Sequence, residues 1–251
     1  MNQNMNQNNN VESDKYVQIV VRDYDKEESF QNLLWVLGRM NFYLENKYVV
    51  PLPNNKSFKE LAENPEKINT INTIDKEMYY EIFLSEIYKP IPTDIVSKII
   101  NNKHDFYSSI FIELKKLNKN WNFKIFDVYN LILVLWSPGG SYHTGTGAIL
   151  RRVDEEGRPD TTFRQDFNDG IVHEIIHIGI EEVIVRKYKL EHWEKEFLVD
   201  TICKLYLGNL MPQYHTQSQG KNYERMNEFV TYNTIQKNLP EAIQKYFENK
   251  V

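Results

Sequence analysis

The stretch from Ile171 to Leu207 limits the architecture of this chain more than any other. A long helical pattern covers Ile171–Tyr188, a short turn falls near Leu190, and a second helical pattern runs from His192 to Leu207, ended by Gly208 and followed by Pro212. Two helices joined by so short a turn lie side by side and antiparallel. The chemistry-bearing residues are concentrated in this hairpin: HEIIH at positions 173–177, then Glu196 and Asp200.

The rest of the chain reads as support for it. Eight of the first ten residues are Asn or Gln, so the tail up to Asp14 buries too little apolar surface to offset its ordering entropy and is expected to be disordered. Val17–Val21 reads as a short strand. Helical spacing follows in Ser29–Glu45, Phe58–Ala62, Asp75–Ile87, Ile95–Ile100 and Phe106–Leu117, which gives a mainly helical region over 15–120. The period then changes. Phe123–Trp136 is rich in aromatic and branched residues, and Gly145–Arg152 supplies a second extended stretch after Pro138-Gly139-Gly140. Beyond the hairpin, Asn222–Gln236 and a further segment to Asn249 read as helices, with Pro240 in a first turn. The fold class expected is α+β, with a catalytic region over 121–251 that is either separate from 15–120 or continuous with it.

Composition narrows the function. With 251 residues, 41% of them hydrophobic, the chain can bury a real core. The net charge of −5 is spread through mixed-sign stretches, so no basic field exists to attract a phosphate backbone, and nucleic acid is not an expected partner. The longest apolar run, Leu131–Trp136, falls far short of the roughly 20 residues of a membrane-spanning helix. No leader-like apolar segment follows the Asn-rich start, so a cytoplasmic location is expected. Cys203 is the single cysteine, which excludes a cysteine-based metal cluster and leaves His, Asp and Glu as ligands; it is expected to pack as a small buried residue.

On a helix, His173 and His177 project from one face a turn apart, close enough to share one ion, and Glu174 lies beside them. A hydrolytic zinc site needs three protein ligands, an open position for water, and a carboxylate near that water. The third ligand must come from elsewhere. Eighteen residues separate His177 from Glu196, enough to finish one helix, turn, and bring a carboxylate back opposite the histidines; Glu194, Asp200, Glu181 and Glu182 compete with it. Asp200, one turn after Glu196, is placed to accept the free ring N–H of a ligating histidine.

HExxH, eighteen residues, then E-x-x-x-D resembles the gluzincin group of zinc peptidases, which includes thermolysin and the zinc aminopeptidases, over 172–200. The metzincin pattern fits less well, since it places Gly and His where this chain has Ile180 and Val183. The resemblance implies a zincin-like fold, one Zn²⁺ held by His173, His177 and Glu196, Glu174 as general base, and Asp200 supporting His173. It also implies a peptide or protein substrate, laid along an edge strand that precedes the active-site helix. Gly145–Arg152 is in the right order for that strand, with Gly145, Gly147 and Ala148 leaving room for a substrate backbone.

A donor for the developing oxyanion is also required. Tyr206, Tyr214, His215 and Tyr223 are candidates, with Tyr214 and His215 the first pair to test. His192 is expected at a helix terminus or on the surface, and His143 in an exposed loop. A second function class fits the same residues: a non-catalytic zincin-like module that keeps a structural zinc and captures extended peptides.

Overall fold

The computed structural model describes residues 17–160, 166–217 and 223–249, so the Asn-rich tail lies outside the described residues. After β1 (Gln18–Asp23), the chain forms α1 (Lys26–Leu37), α2 (Met40–Glu45), α3 (Lys56–Glu63), α4 (Glu66–Thr70) and α5 (Thr73–Ile82). Next come α6 (Asp94–Asn102) and α7 (His104–Trp121), and then β2 (Val128–Val134), β3 (Gly140–His143) and β4 (Ala148–Arg152). The hairpin helices are α8 (Phe167–Ile180) and α9 (His192–Leu205), and α10 (Tyr232–Glu248) follows. The fold is therefore α+β, with one small mixed sheet. Among the described residues, no helix is long and apolar enough to cross a membrane.

The strand order is β1-β2-β4-β3, with β2 parallel to both β1 and β4, and β3 antiparallel to β4. Thus the region over 15–120, though mainly helical, is tied into the same sheet through β1. Alternation along the inner strands sorts side chains between two faces. Leu131, Leu133 and Ile149 join the main core with α7, α8, α9 and α10, while Ile132, Val134, Ala148 and Leu150 form a small cluster on the other face. A separate core of Phe30, Leu33, Leu37, Phe58 and Phe83 holds the N-terminal helices together.

The segment Gly145–Arg152, expected as the substrate edge strand, is not an edge. Gly145 and Gly147 lie in the turn joining β3 to β4, where Gly147 takes φ +67°, and Ala148 opens β4. That strand is hydrogen-bonded on both sides and buried at every residue, so it is interior. The edge is β3, whose sequence GSYH follows Pro138-Gly139 and reads as loop because its glycine and short length hide the extended pattern.

Helix α8 starts where the Asp166 carboxylate accepts from the backbone N–H groups of Asn168 and Asp169. Every residue from Asn168 to Ile180 is buried, and the helix runs on through a π-helical turn over Glu181–Arg186. Lys189, at φ +53°, ends it, and Glu191 with Glu194 forms a capping box that starts α9. Packing explains Gly179, because a Cβ there would overlap the fully buried Phe123 ring. Gly179→Ala is expected to destabilise the chain by about 1–3 kcal/mol through overpacking, read as a lower denaturation midpoint. An unchanged midpoint would mean that the ring is free to move aside. Of the helix expected over Asn222–Gln236, only a short 3-10 helix at Glu224–Glu228 and the start of α10 at Tyr232 form, with Asn222 outside the described residues; α10 then runs to Glu248 through a kink where Asn238 leaves helical geometry and Pro240 sits just beyond it.

Candidate metal centre

Helix α8 carries His173 and His177 one turn apart, and α9 returns alongside it with Glu196 opposite them. His177 Nε2 lies 3.0 Å from His173 Nε2, and Glu196 Oε2 lies 3.3 Å from each. All three residues are buried. Ligand atoms at bond lengths of roughly 2.0–2.2 Å from a tetrahedral ion stand about 3.3 Å apart, so these three atoms outline one face of such a coordination sphere. Two imidazole nitrogens and a carboxylate oxygen could hold a metal ion there.

The groups behind the histidines set their protonation. Tyr214 donates its hydroxyl hydrogen to Asp200 Oδ1 at 2.6 Å, so it accepts from His173 Nδ1, also at 2.6 Å. The Nδ1–H of His173 is thereby directed at the Tyr214 oxygen, and its Nε2 faces Glu196 and His177. Although burial opposes it, contact with Cys203 and Glu196 and the charges of Glu196 and Glu174 hold the His173 pKa well above the ordinary value, so Nε2 carries a proton that a bound metal would displace. Asp200 is thus linked to His173 through a phenol, with its own nearest oxygen 3.9 Å from the ring nitrogen; its other oxygen accepts from the Gln217 backbone N–H. Burial pushes the His177 pKa down to about 3, against the pull of Glu196, so this imidazole is neutral. Tyr142 of β3 stacks on the His177 ring at 4.9 Å, while His177 Nδ1 has no hydrogen-bond partner. Glu196, although buried, stays ionised because His177 and His173 hold its carboxyl well below the usual range.

Glu174 does not join the three converging atoms. It lines the same cleft and is buried, with its carboxylate packed against Gly140 of β3, where a Cβ would overlap it. Burial raises its pKa, while His173 and Arg151 act in the opposite direction. The cleft above these residues has a volume of about 1240 Å³. One wall is β3 with the preceding Pro138-Gly139; the other is the N-terminal region, through Trp35 of α1, Phe42 of α2 and Tyr48 beyond α2. Tyr48 hydrogen-bonds His192 Nε2 at 3.0 Å and stacks on Trp193, which joins the N-terminal region to the start of α9.

The remaining candidates separate clearly. His215 lines the cleft, whereas the Tyr214 hydroxyl lies on the far side of His173, engaged with His173 and Asp200. Tyr206 points away, to Glu113, and Tyr223 is not among the cleft-lining residues. His192, expected at a helix terminus or on the surface, is the first residue of α9 and also part of the cleft wall. His143 is exposed at the end of β3. Cys203 is fully buried and touches His173 and Tyr214. Sequence reasoning missed Tyr48, Tyr142, Arg151 and Lys195, all of which line the cleft. Only Lys195, beside Glu196, carried a local signal.

The class of protein defined so far is a mixed α+β domain with a buried His-His-Glu group at the base of a large cleft. Comparison with known protein families, with curated proteins and with solved structures gives no match.

Proposed function

We propose that this protein is a zinc-dependent hydrolase that cleaves peptide bonds, a zincin of gluzincin type. The observation that carries this reading is the convergence of His173 Nε2, His177 Nε2 and Glu196 Oε2 to within 3.3 Å of one another, with a separate carboxylate, Glu174, beside them in an open cleft. The donor set suits zinc, which takes imidazole and carboxylate ligands in a tetrahedral arrangement with one open position. When bound, the ion would polarise a carbonyl and lower the pKa of water in that open position.

The chain's own residues supply the remaining steps. Glu174 takes a proton from the attacking water and returns it to the leaving nitrogen, a task favoured by the raised pKa that burial gives it. The free edge of β3 faces the cleft next to Glu174 and His177, and an extended peptide can pair with it by main-chain hydrogen bonds. His215 and Tyr48, on other cleft walls, are among the side chains placed to donate to a developing oxyanion. The Tyr214–Asp200 relay orients His173. Tyr214→Phe removes that acceptor for the Nδ1 proton and is expected to weaken zinc affinity about 10- to 100-fold, measured by competition with a chromophoric chelator. Unchanged affinity would assign the relay to packing alone.

The experiment that tests the function is incubation of the zinc-loaded chain with a peptide library, with and without chelator. Cleavage that the chelator abolishes supports the reading. Peptide affinity without turnover would instead support a zincin-like binding module that retains its metal for structure.

A further inference from the structure

The sheet sends two neighbouring arginines of β4 in opposite directions, and only one of them is paired. Arg152 points to the far face, where it pairs with Asp160 and donates to the carbonyls of Ser137 and Val49. Arg151 points toward α8, is 6% exposed, and its Nε has no hydrogen-bond partner. No carboxylate among the described residues forms an ion pair with it; its surroundings are the Phe167 ring, 5.3 Å from the guanidinium carbon, and the fields of Glu174, Tyr107, Asp166 and Arg152. A guanidinium buried this far is normally held by a bidentate partner, because loss of water is costly for a charge that nothing compensates.

Two glycines on different elements leave the room that this guanidinium occupies. A Cβ on Gly140 of β3 would come within 2.9 Å of Arg151 Nη1, and one on Gly170 of α8 would overlap the guanidinium. The same Cβ on Gly140 would overlap the Glu174 carboxylate. Arg151 and Glu174 therefore both pack against Gly140 of the edge strand, and both line the cleft. A planar cation with unused donors, next to the group that handles the proton, is built to receive a planar anion of the substrate.

We propose that Arg151 is the receptor for a substrate carboxylate, so that the cleft selects peptides carrying a carboxylate beside the bond to be cleaved. This rests on the peptidase reading of the same site. The carboxylate is either the C-terminal one of the peptide or the side chain of an Asp or Glu residue, and the two sources share the chemistry that Arg151 recognises.

The test is calorimetric titration of the zinc-loaded full chain with paired probes. N-acetyl-dialanine is compared with its C-terminal amide, and N-acetyl-aspartyl-alaninamide with its asparaginyl counterpart. The wild type is expected to bind one carboxylate probe at least about tenfold more tightly than its neutral partner, as befits a charge-assisted pair. Preference in the first pair identifies a terminal carboxylate, and preference in the second an acidic side chain. In Arg151→Gln the preference is expected to fall below about twofold, while zinc content and the affinity of the neutral probes are kept; Arg151→Lys retains part of it. Equal binding of charged and neutral probes by the wild type overturns the proposal without any variant, as does a preference that survives Arg151→Gln. A chain that prefers carboxylates but hydrolyses no peptide would refute the peptidase reading alone, and one that hydrolyses neutral and acidic peptides equally would refute the carboxylate receptor alone.

Discussion

Glu174→Gln is expected to lower peptide hydrolysis by about 10²–10⁴-fold while leaving the zinc content unchanged, because the substitution removes the proton acceptor and its charge but not a ligand. Glutamine has nearly the same shape, so it keeps the packing under Gly140 that the carboxylate makes. It takes no part in the three-atom convergence of His173, His177 and Glu196, so the ion has no reason to leave. The lost step is proton transfer, and it should appear in kcat with little change in KM, since the proposed substrate path runs along β3 rather than over Glu174. Hydrolysis that survives in zinc-loaded Glu174→Gln would refute the proposed mechanism. Full loss of zinc in the same variant would mean that Glu174 is a ligand after all.

Glu196→Ala carries the other large effect. Its carboxylate is the sole anion in the converging group, and it contacts both histidines at 3.3 Å while Lys195 and His192 flank its second oxygen at 3.7 and 3.8 Å. Removing it leaves two imidazoles that cannot neutralise a divalent ion, in a pocket that still holds the Lys195 ammonium nearby. Zinc affinity is expected to fall by more than the roughly 10- to 100-fold typical of losing a group behind a ligand. Activity should vanish with it. Equilibrium dialysis against buffered zinc measures the change directly, and retention of tight binding would place the third ligand elsewhere.

The hairpin was legible in the sequence because its determinants are local: the i, i+4 histidines, the apolar run around them, and a connection just long enough to bring Glu196 back. The same holds for most helices, and for β2, whose LILV core is buried on both faces. What escaped was set by distant pairing. β3 has only four residues and follows Pro138-Gly139, so nothing local marks it as a strand; pairing with β4 makes it one. That pairing also moved the edge from Gly145–Arg152 to β3. Arg151 looks like one of two surface cations at a strand end, and only alternation along a strand covered on both faces turns it inward. Tyr214 was legible as a residue near the site but not in its role, because its reach to His173 depends on how the chain folds back after α9. Tyr48 belongs to the N-terminal region and meets the site only through the packing of that region against His192 and Trp193.

The central claim is that His173, His177 and Glu196 hold one catalytic zinc ion, and elemental mass spectrometry of the purified chain tests it most directly, with His177→Ala measured beside the wild type. About one zinc per chain in the wild type, lost in the variant, is the predicted result. A wild-type chain that contains no zinc even after incubation with the metal would contradict it.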